Sequence, residues 1–224
     1  MRPVPRIRAA AGFSLIELAI VLVIVALLAG GLMMTLSTQQ EIQRLSEVRR
    51  QLADIREALL GFAIINGRLP APADPSIASG TAGAGESDDK LIGGANKGFG
   101  VLPWTTLGLP ETDPWGQRFT YKVSDDFATS DFMLMTPGSI TVTDGAVNIA
   151  TNLPAIVISH GRNGLGGYDR YGQIRGGALG DEKLNASNTA TFVSRTQAPD
   201  FDDEVIWIPL PILMSRMLTA GRLP

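Results

Sequence analysis

The chain has no cysteine and a single histidine, His160. Without cysteine, no disulfide staples the fold. One histidine and no thiolate also exclude the His-Cys zinc sites. Any Ser-His catalytic pair would have to use His160. Its neighbour Ser159 points to the other side of a strand, and no Gly-x-Ser-x-Gly elbow is present. Basic charge is short as well. Nineteen Lys and Arg stand against 22 Asp and Glu, a net charge of −3, and Arg2, Arg6 and Arg8 are spent before position 9. A phosphate-binding surface is therefore not expected, nor a nucleic-acid partner. The glycine-rich stretch Gly161–Gly167 lacks a Lys-Ser/Thr ending and does not fit Gly-x-Gly-x-x-Gly, so it reads as a turn.

Proline is missing between residues 13 and 69, and charge is missing from Leu18 to Leu36. As a helix the uncharged run rises roughly 28 Å at about 1.5 Å per residue. That is close to the ~30 Å of a hydrocarbon core. Only a helix satisfies its own backbone in lipid. The three arginines precede the run, and no Lys or Arg follows until Arg44. The positive-inside bias then puts the N-terminus in the cytoplasm and the rest across the membrane. Glu17 stands at the start of the run. A carboxylate at membrane depth costs up to about 3 kcal/mol on insertion scales, and less near the interface. A cleaved secretory signal fits poorly, because the run is long and no Ala-x-Ala site follows. A permanent signal anchor is a second reading, its glutamate tolerated because helix N-termini favour negative charge.

Gly12-Phe13-Ser14-Leu15-Ile16-Glu17 resembles the class III signal of type IV pilins and type II secretion pseudopilins. The likeness covers residues 1 to about 40. It combines a basic leader, a Gly–Phe junction, a glutamate four residues past the Phe and an apolar helix. The resemblance implies cleavage after Gly12 by a prepilin peptidase and N-methylation of Phe13. It implies assembly with other pilin-like subunits through Phe13 and Glu17, on an inner-membrane assembly platform. The new Phe13 ammonium of one subunit would then pair with Glu17 of its neighbour. A pair within one chain competes, since the two residues are four apart on one helix. Many filament pilins carry a proline in the second half of this helix. Here Gly30-Gly31 is the only weak point, each glycine costing about 1 kcal/mol against alanine. Pilins also often carry a C-terminal disulfide loop, so the lack of cysteine leans toward pseudopilins or minor subunits.

The helix continues past the membrane run. Leu45, Leu52 and Leu59 recur every seven residues, as do Val48, Ile55 and Phe62, with charged residues between them. That stripe predicts packing on a head's sheet, with a coiled-coil seam as the alternative. Asn66-Gly67, backed by Pro70 and Pro72, predicts the stop. One helix from Phe13 to Ile65 would be about 80 Å long. Residues 71–100 read as a loop, mobile around Ser79–Asp89. Strands are predicted at Arg118–Val123, Phe132–Thr136, Ser139–Thr143, Ala155–Ser159 and Glu204–Ile208, with a short apolar helix at Ile212–Leu218. The fold class is α+β: a long helix laid on an antiparallel sheet, pilin-like. The divisions are a leader at 1–12, a helix at 13–66 with its membrane part at 13–36, and a head at 67–224.

A second resemblance lies in the head. Asp113-Pro114-Trp115-Gly116 and the strand after it look like the Asp-Pro-Trp-Gly turn of major pseudopilins. Ile158–Gly164 and Phe201–Val205 are similar to that family's glycine loop and closing acidic strand. The first of these also reads physically as an Asx-capped turn. Heads of that family bind calcium at the loop. The resemblance makes Asp169, Asp200, Asp202 and Asp203 the calcium candidates, although Arg162 and Asn163 partly replace the family's acidic position. No EF-hand spacing is present, and read alone these are solvated turn acids. Trp104, Trp115 and Trp207 read as core or strand-end aromatics. The sequence thus points to a pilin-like structural subunit and not an enzyme. It would be a single-pass inner-membrane precursor in contact with lipid, its head periplasmic, later placed in a pilus or pseudopilus. The rivals are a membrane-anchored binding or scaffold domain without assembly, and a soluble enzyme freed by signal peptidase.

Overall fold

The computed structural model of the chain describes residues 14–94, 97–129 and 132–223, and for residues 29–38 the backbone alone. It is α+β. After the long helix α1 (Leu15–Asn66) come β1 (Phe99–Val101), α2 (Trp104–Leu107), β2 (Thr120–Val123) and α3 (Asp125–Ala128). Then follow β3 (Ile140–Thr143), β4 (Asn148–Leu153), β5 (Ala155–Ser159), α4 (Gly180–Asn185), β6 (Thr191–Val193), β7 (Glu204–Ile208) and α5 (Leu210–Thr219). Two compact units divide the chain, Met1–Gln43 and Arg44–Pro224.

In the first unit the side chains described from Ser14 to Leu28 are all exposed. They form no stripe, because nearly every position is apolar. In the second unit α1 does show a stripe. Val48, Leu52, Ile55 and Leu59 are buried, and Leu45 and Phe62 are partly so. The helix stops as the sequence predicts. Gly67 sits at φ +74°, a region glycine enters freely, and its N–H donates to the Ala63 carbonyl at 2.8 Å. Asn66 Nδ2 donates to the Phe62 carbonyl at 2.9 Å.

One sheet has the order β1-β2-β5-β7 and is antiparallel throughout. Side chains alternate along a strand, so one face carries Tyr121, Val123, Ala155, Val157 and Ile208. These join the α1 stripe, together with Leu213, Met214 and Met217 of α5, in one core cluster. The other face carries Ile156 and Ile158, which pack with Ile140, Val142, Leu153 and Phe192. Those four belong to a second sheet, β4-β3-β6, in which β3 and β6 run parallel. The first sheet is the middle of three layers, and β2 and β5 are therefore buried at every position.

Three expectations need correction. Phe132–Thr136 is a turn, not a strand. Thr136 N–H donates to the Met133 carbonyl at 3.0 Å, and Thr136 Oγ1 accepts from Met133 N–H at 2.8 Å. Its apolar content deceived: Phe132 packs on Phe127 with ring centroids 4.9 Å apart, while Met133 and Met135 face out. Next, the loop around Ser79–Asp89 is tied down. Ser79 N–H donates to the Arg170 carbonyl at 2.8 Å and its hydroxyl to Glu111 at 2.7 Å. Buried Arg118 clamps Glu111 Oε1 with two nitrogens, at 3.0 and 2.9 Å, and donates to the Pro75 and Arg170 carbonyls. Finally, β1, β4 and β6 were not expected.

Candidate functional site

Ser14–Glu17 forms a helix start. Gly12 and Phe13 lie outside the described residues. Ser14 stands at the cap position of α1. Its hydroxyl accepts from Ile16 N–H at 3.3 Å, and its carbonyl accepts from Leu18 N–H at 3.1 Å. Glu17 reaches back, and its carboxylate accepts from Ser14 N–H at 3.0 Å. Ser14-Leu15-Ile16-Glu17 is thus a capping box, which satisfies orphan donors and sets an acid at the positive helix end. The Ser-x-x-Glu spacing announced this, yet Ser14 was not singled out. Among the described residues no helix is long and apolar enough to cross a membrane. The expected span, 13–36, includes Phe13 and residues 29–36, whose side chains lie outside the description.

The head holds a second arrangement. Asp202 and Asp203, just before β7, come together with Glu182 on α4, their ligand-type oxygens all within 4.8 Å of one another. The other two calcium candidates are used elsewhere. Asp169 closes its own turn, accepting from Tyr171 and Gln173 N–H at 2.8 Å each. Asp200 pairs with Arg195 at 2.9 Å. The glycine loop supplies Asn163, whose N–H donates to Asp202 Oδ2 at 2.8 Å and whose side chain donates to Glu182 Oε1 at 2.7 Å. Asn185 donates to Asp203 Oδ2 at 2.8 Å. Sequence reasoning missed Glu182, because a short helix behind a glycine-rich stretch carries no spacing signal toward residue 202.

Burial sets the electrostatics. Glu182 and Asp203 are each 3% exposed. Asp202 Oδ1 and Asp203 Oδ1 are buried without a hydrogen-bond partner, as is His160 Nδ1. Burial pushes the Asp203 carboxyl up to about 8, with the charges of Glu182 and Asp202 adding to it. Burial likewise raises Asp202. His160 is driven down to about 4 by burial and stays neutral at pH 7. Its Nε2 meets Thr120 Oγ1 at 2.7 Å, and its Nδ1 is 3.7 Å from Asp203 Oδ1. Ser159 turns away and donates to Asp113 Oδ2 at 2.6 Å, bracing the turn at Asp113–Gly116. Asp113 Oδ1 caps that turn, accepting from Trp115 and Gln117 N–H at 3.0 Å each. The three carboxylates are an all-oxygen donor set of the kind hard divalent cations prefer, so the residues fit calcium. A cleft of about 320 Å³, lined by Asn163, Leu165, Leu179 and Glu182 among others, reaches Glu182, while Asp202 and Asp203 are not part of its lining.

Residues 7–33 match the family described as the prokaryotic N-terminal methylation motif. That motif is the class III signal of type IV pilins and pseudopilins, the resemblance carried by Gly12–Glu17. A long helix on an antiparallel sheet is also the α+β arrangement of pilins. Among curated proteins and among solved structures, none matches the chain.

Proposed function

We propose that the chain is a pilin-like structural subunit, cleaved between Gly12 and Phe13 by a prepilin peptidase and methylated on Phe13. In this reading residues 13–36 hold the precursor in the inner membrane, N-terminus inside and head in the periplasm. The same helix then enters the core of a type IV pilus or a type II secretion pseudopilus. One observation carries the reading. Within the matched motif, α1 from Leu18 to Leu28 is apolar on every side and exposed, with Leu22 at 60%. A helix without a polar face needs lipid or other helices around it. Mass spectrometry of the N-terminal peptide from native membranes tests it. The expected mature chain starts at Phe13 with one added methyl group. A native chain starting at Met1, or anywhere after Gly30, overturns the reading.

A second reading, a membrane-anchored scaffold without assembly, is favoured by the capping box. Glu17 already has a partner in its own chain, the Ser14 N–H. The two readings separate at Glu17→Ala. A subunit whose Glu17 meets a neighbour's Phe13 ammonium should still insert and be cleaved, yet enter filaments poorly. Wild-type incorporation would bring the scaffold forward.

A further inference from the structure

We propose that Lys122 and Asn188 join in an isopeptide bond, which ties β2 of the middle sheet to the segment leading into β6 of the second sheet. Both side chains come from the head of one chain, so neither cleavage of the leader nor filament entry is needed for it.

Lys122 stands where lysine is rare. In the register of β2 it is opposite Ile156, on the face turned toward the second sheet, and only 5% of it is exposed. Lysine is seldom buried unless an acid pairs with it. Among the described residues no carboxylate forms an ion pair with this one. Its Nζ donates instead to two neutral oxygens, the Lys97 carbonyl at 3.2 Å and Asn188 Oδ1 at 2.7 Å. The Phe99 ring closes another side, its centroid 5.8 Å from Nζ. Burial lowers the Lys122 pKa, the charge of Asp125 opposes this, and that of Lys97 adds to it. A lysine held this way is closer to its neutral, nucleophilic form than a solvated one.

The electrophile is within reach. Asn188 Cγ, about 1.23 Å from Oδ1, is at most about 3.9 Å from Nζ. Reacting atoms start from about 3–3.5 Å, so a small approach suffices. Asp125, at the start of α3, lines the same cavity of about 430 Å³ as Lys122 and Asn188, and its Oδ1 is buried and accepts nothing. It is the group placed to carry protons. One bond forms, Nζ to Cγ, and one breaks, Cγ to Nδ2. Of the three ammonium hydrogens, two pass by way of Asp125 to Nδ2 and one stays on the new amide nitrogen. Nδ2 leaves as ammonium, and no oxidant, reductant or second substrate takes part. Asn188 is exposed, which gives the ammonium a way out. The product holds no buried charge at position 122, which removes the cost of burying one. It also supplies a covalent tie in a chain that has no cysteine.

The test is mass spectrometry of the full chain, purified in detergent and then denatured. The wild type should be lighter than its sequence by about 17 Da, the mass of ammonia. Trypsin should no longer cut after Lys122, and residues 119–162 should appear joined to residues 184–195. Lys122→Arg and Asn188→Ala should each restore the full mass and separate the two peptides. Asp125→Asn should lower the joined fraction about tenfold or more. The wild-type map decides even where a variant fails to fold. A wild type cut by trypsin after Lys122, with Asn188 unmodified, would overturn the proposal. So would a gain of about 1 Da at Asn188, which would show that water reaches Cγ in place of Nζ. Joined peptides that persist in Asn188→Ala would overturn it as well.

Discussion

Leu22 and Leu59 sit on the same helix in opposite surroundings. Leu22 is 60% exposed, in a unit where the described apolar side chains all face out. Leu59 is fully buried, in a unit whose sheet is covered on both faces. Burying a leucine is worth roughly 1.5–3 kcal/mol, and the chain gains this for Leu59 and not for Leu22. The head from Arg44 on completes its own core. The described segment before it carries equally apolar residues and leaves them exposed. An exposed contiguous apolar surface of this kind is what the proposed reading, an anchor that becomes an assembly surface, requires.

Cutting the chain at Arg44 exploits it most directly. Residues 44–224 should be soluble, folded and monomeric, while the chain from Phe13 should need detergent. Circular dichroism, proton NMR and size exclusion read this. A head that is unfolded after the cut would show that its stability depends on the first segment, and the contrast would break.

Single leucines give the next largest effect. Leu59→Ala should destabilise the head by about 2–5 kcal/mol, since a fully buried site leaves a cavity. Leu22→Ala should leave urea unfolding of the head unchanged. Equal losses at both positions would mean that the two regions unfold as one.

Acid gives a smaller, graded effect confined to the head. Burial raises Glu111, but hydrogen bonds from Ser79, Arg118 and Arg170 outweigh it and hold the carboxyl below its usual range. A depressed acid stabilises the fold above its unfolded value, near 4.5, and that stability disappears as pH falls through the folded value. Wild type should therefore exceed Glu111→Gln in Tm at pH 6, and the gap should close toward pH 3. A gap independent of pH would assign Glu111 a packing role alone.

The sequence reveals these regions unequally. Glu204–Ile208 and Ala155–Ser159 were legible to the residue as β7 and β5, because each is a β-branched run bounded by turn residues. The stripe at Val48, Leu52, Ile55 and Leu59 was equally plain, and so was the stop at Asn66-Gly67. The strand β6 is three residues long, too short to show a period, and β1 hides in a glycine-rich stretch. The edge strand β4 is exposed at most positions, so no alternation marks it. Of the three carboxylates that come together, Asp202 and Asp203 were among the candidates offered by resemblance. Glu182 reaches them only through the placing of α4, which no local pattern encodes.

The smallest expected effect tests whether the first region has any stability of its own. Ser14→Ala removes the hydroxyl that accepts from Ile16 N–H and keeps the backbone N–H that Glu17 uses. Losing such a cap costs about 1 kcal/mol. In the cut described above the head lacks this residue altogether, so its Tm cannot register the change. In the full chain the effect should be confined to the first turn, read as faster exchange at Ile16. Exchange at Leu59 should not change. Filament entry then discriminates further. If assembly draws Glu17 away to a neighbour's Phe13 ammonium, the box is already broken in the filament, and a weaker cap in the free chain should not reduce incorporation. If Glu17 stays on its own Ser14, weakening the box frays the helix start in both states, and incorporation should fall with it. A fall in incorporation as large as that of Glu17→Ala would mean that the glutamate acts as a cap, with no part in pairing subunits.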